Sequence, residues 1–109
     1  MKLIIAIVHD DDAMELISSL TESGFSVTKL ATTGGFLKAG NTTLLIGVEE
    51  EKLEHVMDII REVCKMRKGI ISSPSSVLGE TGVYMPSPVQ ITIGGATVFV
   101  IDVDRFEKM

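Results

Sequence analysis

Few residues in this chain have the chemistry to act on a substrate or to hold a metal, and each has a plainer use. His9-Asp10-Asp11-Asp12 carries side chains that bind metal ions. Adjacent residues leaving a strand point in different directions, however, and aspartates at such a place cap a helix and complement its dipole. The run is therefore read as a helix cap. Glu51 and His55 share one helical face at i,i+4 spacing, but Glu49 to Asp58 has the pattern of an ordinary solvated face. Cys64, the one cysteine, lies on an apolar helical stripe with no His within four residues, as a core thiol does. Ser72, Ser73, Ser75 and Ser76 stand in no nucleophile motif and serve as turn residues. Neither a catalytic residue nor a metal site is expected, and no cofactor is implied.

Thr32-Thr33-Gly34-Gly35-Phe36-Leu37-Lys38-Ala39-Gly40-Asn41-Thr42-Thr43 is different, because it gathers three glycines, four threonines, an amide and an aromatic between two strand patterns. Gly34 and Gly35 let backbone amides approach a ligand and form a concavity that accepts anions. Phe36 offers a flat face on which a base can stack. Asn41 carries one amide donor and one acceptor, the complement of the adenine N6/N7 edge. Two readings fit: an adenine nucleotide held by backbone and amide groups, or a plain hairpin turn in which Phe36 acts as a staple. Glycine-rich turns alone do not separate them.

The chain that must position these residues has 109 residues, ten Lys+Arg against fifteen Asp+Glu, and a net charge of −5. That length fits one domain spanning residues 1–109. The charge argues against long nucleic acids, which demand clustered cations. At 45% hydrophobic residues, so short a chain carries more apolar surface than it can bury alone, which points to self-association. One cysteine makes no disulfide framework, and the apolar run Leu3 to Val8 is too short to span a bilayer or to serve as a signal peptide. A cytoplasmic protein with no membrane insertion is expected.

Leu3 to Val8 reads as a strand buried on both faces. Asp10 to Asp12 open a helix with Ala13, Leu16, Ile17 and Leu20 on its apolar face and Gly24 as its glycine stop. Phe25 to Leu30 is extended. Thr42 to Val48 is the next strand, and Glu49 to Glu51 start a second helix with Leu53, Val56, Met57, Ile60 and Cys64 on its stripe. Arg61, Lys65, Arg67 and Lys68 close that helix with the cations its dipole favours. Val89, Ile91 and Ile93 alternate with polar residues, Gly94-Gly95 has the signature of a two-residue hairpin, and Val98 to Asp102 returns. The order is α+β, a ferredoxin-like βαββαβ arrangement with an extra C-terminal hairpin. Residues 69–88 show no periodicity and hold Pro74, Pro86 and Pro88, so they read as a long functional loop.

Met1 to Val8, Thr28 to Leu37, Ala39 to Thr43, and Gly94-Gly95-Ala96-Thr97-Val98-Phe99-Val100 together closely resemble the PII-like cyclic di-AMP receptor proteins, and Tyr84, Pro86 and Pro88 match the end of that family's long loop. The resemblance covers essentially the whole chain. It implies a ferredoxin-like, PII-like homotrimer that binds the second messenger cyclic di-AMP at clefts between subunits, with no catalysis. Carried over position by position, Thr28 and Asn41 are adenine hydrogen-bonding residues, assisted by the backbone of Gly47. Phe36 and Leu37 pack against the base beside the turn at Gly35, and Phe99 is an apolar wall. The glycine-rich ligand turn is 32–42, and the flexible loop at 69–88 displays ligand state to a downstream protein partner.

Two positions depart from the family pattern. Ser26 stands where members carry an arginine that contacts phosphate, and Lys108 stands where they carry a glutamine. The pairing suggests that a cation lost at Ser26 is regained at Lys108; a solvated terminus is the plainer reading of Lys108. Two other functions are open: a PII-like sensor of another adenine nucleotide such as ATP, which would want more cations near the turn than Lys38, and a small ferredoxin-like phosphatase-type enzyme. The latter needs an arginine clamp, yet Arg61, Arg67 and Arg105 all lie away from the turn.

Overall fold

Two alternations organise the chain, and a computed structural model describes them for residues 1–30, 40–71 and 89–109. Its elements are β1 (Lys2–His9), α1 (Asp10–Glu22), β2 (Val27–Lys29), β3 (Asn41–Val48), a 3₁₀ turn (Glu50–Lys52), α2 (Leu53–Cys64), β4 (Arg67–Ile71), β5 (Val89–Ile93) and β6 (Ala96–Asp102). Four strands form one antiparallel sheet in the order β2-β3-β1-β6. With both helices on one face, this is the ferredoxin-like βαββαβ arrangement. The apolar, largely β-branched run of β1 places it inside the sheet, paired on both sides.

Period-2 alternation decides what each strand buries. Ile4, Ala6 and Val8 of β1 and Leu44, Ile46 and Val48 of β3 point at the helices and are buried. They meet Ala13, Leu16 and Leu20 of α1 and Val56, Ile60 and Cys64 of α2, residues at helical spacing. Each fully buried Leu or Ile contributes roughly 1.5–3 kcal/mol. The alternate residues form rows across the opposite face: Gly47, Leu3 and Ile101 in one, and Thr28, Leu45, Ile5 and Phe99 in the next. Among the described residues no helix covers that face, and Phe99 and Ile101 stay 53% and 45% exposed.

The predicted C-terminal hairpin is corrected. Gly94 and Gly95 have φ of +88° and +90°, as a tight glycine turn requires, but they do not join paired strands. β5 pairs with β4 in a separate two-stranded ribbon, and β6 pairs with β1. The predicted end of the second helix also moves. α2 stops at Cys64, and Arg67 and Lys68 begin β4. Of the predicted loop, residues 69–71 belong to β4, and residues 72–88 lie outside the described residues.

The aspartate run does more specific work than capping. The cap position is His9, whose side chain makes no capping hydrogen bond, and Asp10 to Asp12 form the first turn of α1. Thr42 Oγ1 donates to Asp10 Oδ1 at 2.5 Å. Asp12, only 2% exposed, accepts from Arg67 Nη2 at 2.7 Å, and that bond raises the Arg67 pKa. A buried carboxylate requires such a partner. Arg67 also donates to the Lys65 carbonyl at 3.1 Å, and Gly95 N–H donates to the Cys64 carbonyl at 2.5 Å. The ribbon is thereby tied to both helices at its root.

Candidate functional site

The first site is built at the end of the sheet where β1 begins. Val103 N–H donates to the Met1 carbonyl at 3.2 Å, extending the β1–β6 pairing and turning the chain back over the sheet. That brings Phe106, Glu107 and Lys108 beside Ser26, Thr28 and Gly47 around a cavity of ≈560 Å³. Its volume is in the range of small-ligand pockets. Gly47 leaves the floor open, since nothing lies within 4 Å of where its Cβ would be. Lys2, also on the wall, donates to Asp102. This contact raises the Lys2 pKa and lowers that of Asp102, in each case chiefly through the hydrogen bond between them. Lys2 therefore reaches the cavity as a cation with a standing anionic partner. Among the described residues Lys108 makes no ion pair.

Asn41 is elsewhere. It opens β3 at the opposite end of the sheet and lines a second cavity of ≈320 Å³ with His9, Met66, Gly94, Gly95 and Thr97. The backbone N–H of Asp10 donates to the Gly40 carbonyl at 2.7 Å and pins the end of the glycine-rich segment there. Gly40 itself has φ +106°. Thr28 is opposite Leu45, four residues along β3 from Asn41, which sets them about 14 Å apart; Gly47 is about 20 Å from Asn41. Phe99 shares a row with Thr28 across the four strands, again about 14 Å away.

The structure thus brings Thr28, Gly47, Ser26 and Lys108 together and leaves Asn41 and Phe99 at separate places on the same open face. Gly35, Phe36 and Leu37 lie outside the described residues, as do residues 32–39 of the predicted turn 32–42; Asn41 and Thr42 belong to β3. Sequence reasoning missed Lys2 and Phe106 as cavity walls. The short strand-like run before Val103 and the single aromatic beyond it were the only signals.

The other candidates take structural places. His55 packs edge-on against Phe25, ring centroids 5.5 Å apart at 77°. Cys64 is buried, and burial, with Asp12 nearby, pushes its thiol up to about 11. Among the described residues no three His, Cys, Asp or Glu side chains group as metal ligands, and no helix is long and apolar enough to cross a membrane.

Fold and cavity together define a small ferredoxin-like α+β protein with a cavity of small-ligand size on the sheet face opposite its helices. The family model of the cyclic-di-AMP receptors matches residues 1–109, the whole chain, and the chain belongs to that family. It is a family of nucleotide receptors, and its ligand is cyclic di-AMP. Among solved structures, a protein of unknown function from Pediococcus pentosaceus ATCC 25745 is 41% identical, with a TM-score of 0.75 over 99% of this chain and 96% of that one. A DUF3240-family protein from Shewanella baltica OS155 is 12% identical, with a TM-score of 0.59 over 99% of this chain and 94% of that one; it shares the fold alone.

Proposed function

We propose that the chain is a cytoplasmic, homotrimeric, non-enzymatic receptor that holds cyclic di-AMP in clefts between its copies and signals by rearranging its loops. The observation that carries the reading is the ≈560 Å³ cavity in which Thr28 and Gly47 stand with two lysines. Thr28 supplies a hydroxyl to a base edge, Gly47 an unobstructed backbone, and Lys2 and Lys108 face the phosphates. Asn41 lies at the far end of the same face, so a site that uses both residues is composite: the Asn41 end of one copy adjoins the Thr28 end of the next. The same arrangement covers Leu3, Ile5, Leu45 and Ile101, over which no helix of the described residues packs, and large uncovered apolar faces mark interfaces. Phe99 then becomes a wall between copies, and Gly35, Phe36 and Leu37 pack against the base.

Ligand binding shifts the populations of the segment at 32–42 and of the ribbon with its loop at 69–88, where a downstream protein reads the state. Lys108 takes over the phosphate contact that Ser26 cannot make. Calorimetry with cyclic di-AMP, cyclic di-GMP and ATP in parallel tests the ligand, with cyclic di-AMP expected to bind best; no response to it ends the reading. Lys108→Gln should weaken binding and flatten its salt dependence, and an unchanged salt slope removes Lys108 from the phosphates.

A further inference from the structure

The cavity around Asn41 contains more chemistry than one amide. His9 is directly opposite Asn41 in the β1–β3 register, and Thr97 is opposite Ile7 in the β1–β6 register. All three side chains lie on the open face and line the same ≈320 Å³ space. Directly opposed residues have Cβ atoms about 5 Å apart and diagonal neighbours about 7–8 Å, so the three polar groups surround one small molecule's width. Ile7 and Met66 give the space apolar walls, and Gly94 and Gly95 close it from the ribbon root.

The imidazole is oriented for this. Its Nδ1 is shut off from solvent and has no hydrogen-bond partner among the described residues; Asp11 Oδ2 is 3.7 Å away, beyond hydrogen-bond reach. The ring as a whole remains 39% exposed, so the accessible nitrogen is Nε2. A neutral imidazole carries its proton on either nitrogen, and in the tautomer with the proton on Nε2 the exposed edge is a donor. An Asn amide paired with the amino/N7 edge of adenine leaves the ring nitrogens N1 and N3 as unmet acceptors. A neighbouring N–H and a hydroxyl are what those acceptors need, since a buried acceptor without a donor weakens binding.

We propose that His9, supported by Thr97, completes the base subsite around Asn41 by donating from Nε2 to a ring nitrogen of the adenine. The proposal rests on the reading that Asn41 takes a base of cyclic di-AMP. The test is calorimetry of the full chain with cyclic di-AMP, for the wild type and for Asn41→Ala, His9→Ala, His9→Phe, His9→Gln and Thr97→Val. His9→Ala should weaken binding about tenfold. His9→Phe, which keeps a flat ring without a donor, should lose as much, and His9→Gln should recover most of the affinity. Thr97→Val should lose a few fold. Wild-type affinity in His9→Phe overturns the proposal, and so does wild-type affinity in His9→Ala, while a weakened Asn41→Ala leaves the receptor reading standing. If the wild type does not bind cyclic di-AMP, or Asn41→Ala binds as tightly as the wild type, the underlying reading fails instead. Melting curves without ligand separate folding from binding, and should one His9 variant not fold, the other two decide.

Discussion

The two faces of the four-stranded sheet are built from the same strands and almost the same residue types, yet among the described residues helices cover only one. Leu44 and Ile46 are fully buried under α1 and α2, while Leu45 between them and Phe99 in its row look outward. Alternation along a strand makes two surfaces at once, and a chain this short supplies helices for one of them. The covered face sets whether the chain folds. The proposed function assigns ligand and neighbouring copies to the open face, whose polar groups, Thr28, Asn41, His9 and Thr97, stand around an apolar middle.

Pairs of neighbouring substitutions test that division. Leu44→Ala should remove about 2–5 kcal/mol of stability, read as a lower denaturant midpoint, because it leaves a cavity under the helices. Asn41→Ala, on the open face, should leave the midpoint alone and cost about 1–3 kcal/mol of cyclic di-AMP affinity by calorimetry. Gly94→Ala lies at the ribbon root, where a Cβ would come within 2.7 Å of the Arg67 guanidinium and of the Lys65 carbonyl at positive φ; a loss of about 1–3 kcal/mol is expected in chemical denaturation. Ile101→Glu should barely move the melting of the isolated chain but lower the mass seen in light scattering from trimer toward monomer; an unchanged mass takes the open face out of assembly. The smallest effect belongs to Cys64. Because its folded pKa is raised to about 11, its neutral thiol adds to stability fully below the ordinary value of 9.0, and the contribution fades as pH climbs from there toward 11. Native Cys64 should resist alkylation at neutral pH, and rapid labelling would contradict its place in the core.

Much of this architecture was legible because apolar period is a local property. Ile4, Ala6 and Val8, and Leu16 and Leu20, announce their faces within a few residues. Partnership is not local. Gly94-Gly95 specifies a backbone conformation and says nothing about which strand follows, so two adjacent strands entered different sheets. Arg67 was read as a helix-closing cation because charge is visible and backbone state is not; its partner Asp12 is 55 residues away. The run at Asp10 to Asp12 looked uniform, yet Asp10 serves Thr42, Asp12 serves Arg67, and Asp11 remains on the surface. For the site, residue type pointed to Asn41 and the family resemblance to Thr28 and Gly47, but only the register shows that strand length separates Asn41 from the other two.

The central place of β1 has a consequence for how the molecule is made. Residues 2–9 are synthesised before both strands they pair with, and one of their two edges stays unpaired until residues 96–102 arrive. Contacts that distant in sequence slow folding. Meanwhile an apolar strand with a bare edge is an aggregation hazard. Helices α1 and α2 have been synthesised by then and shield one face of β1, so its open face and that waiting edge are the surfaces a nascent chain most needs to keep from its neighbours. Maturation of this protein is therefore a race between completion of its sheet by β6 and premature pairing with another chain.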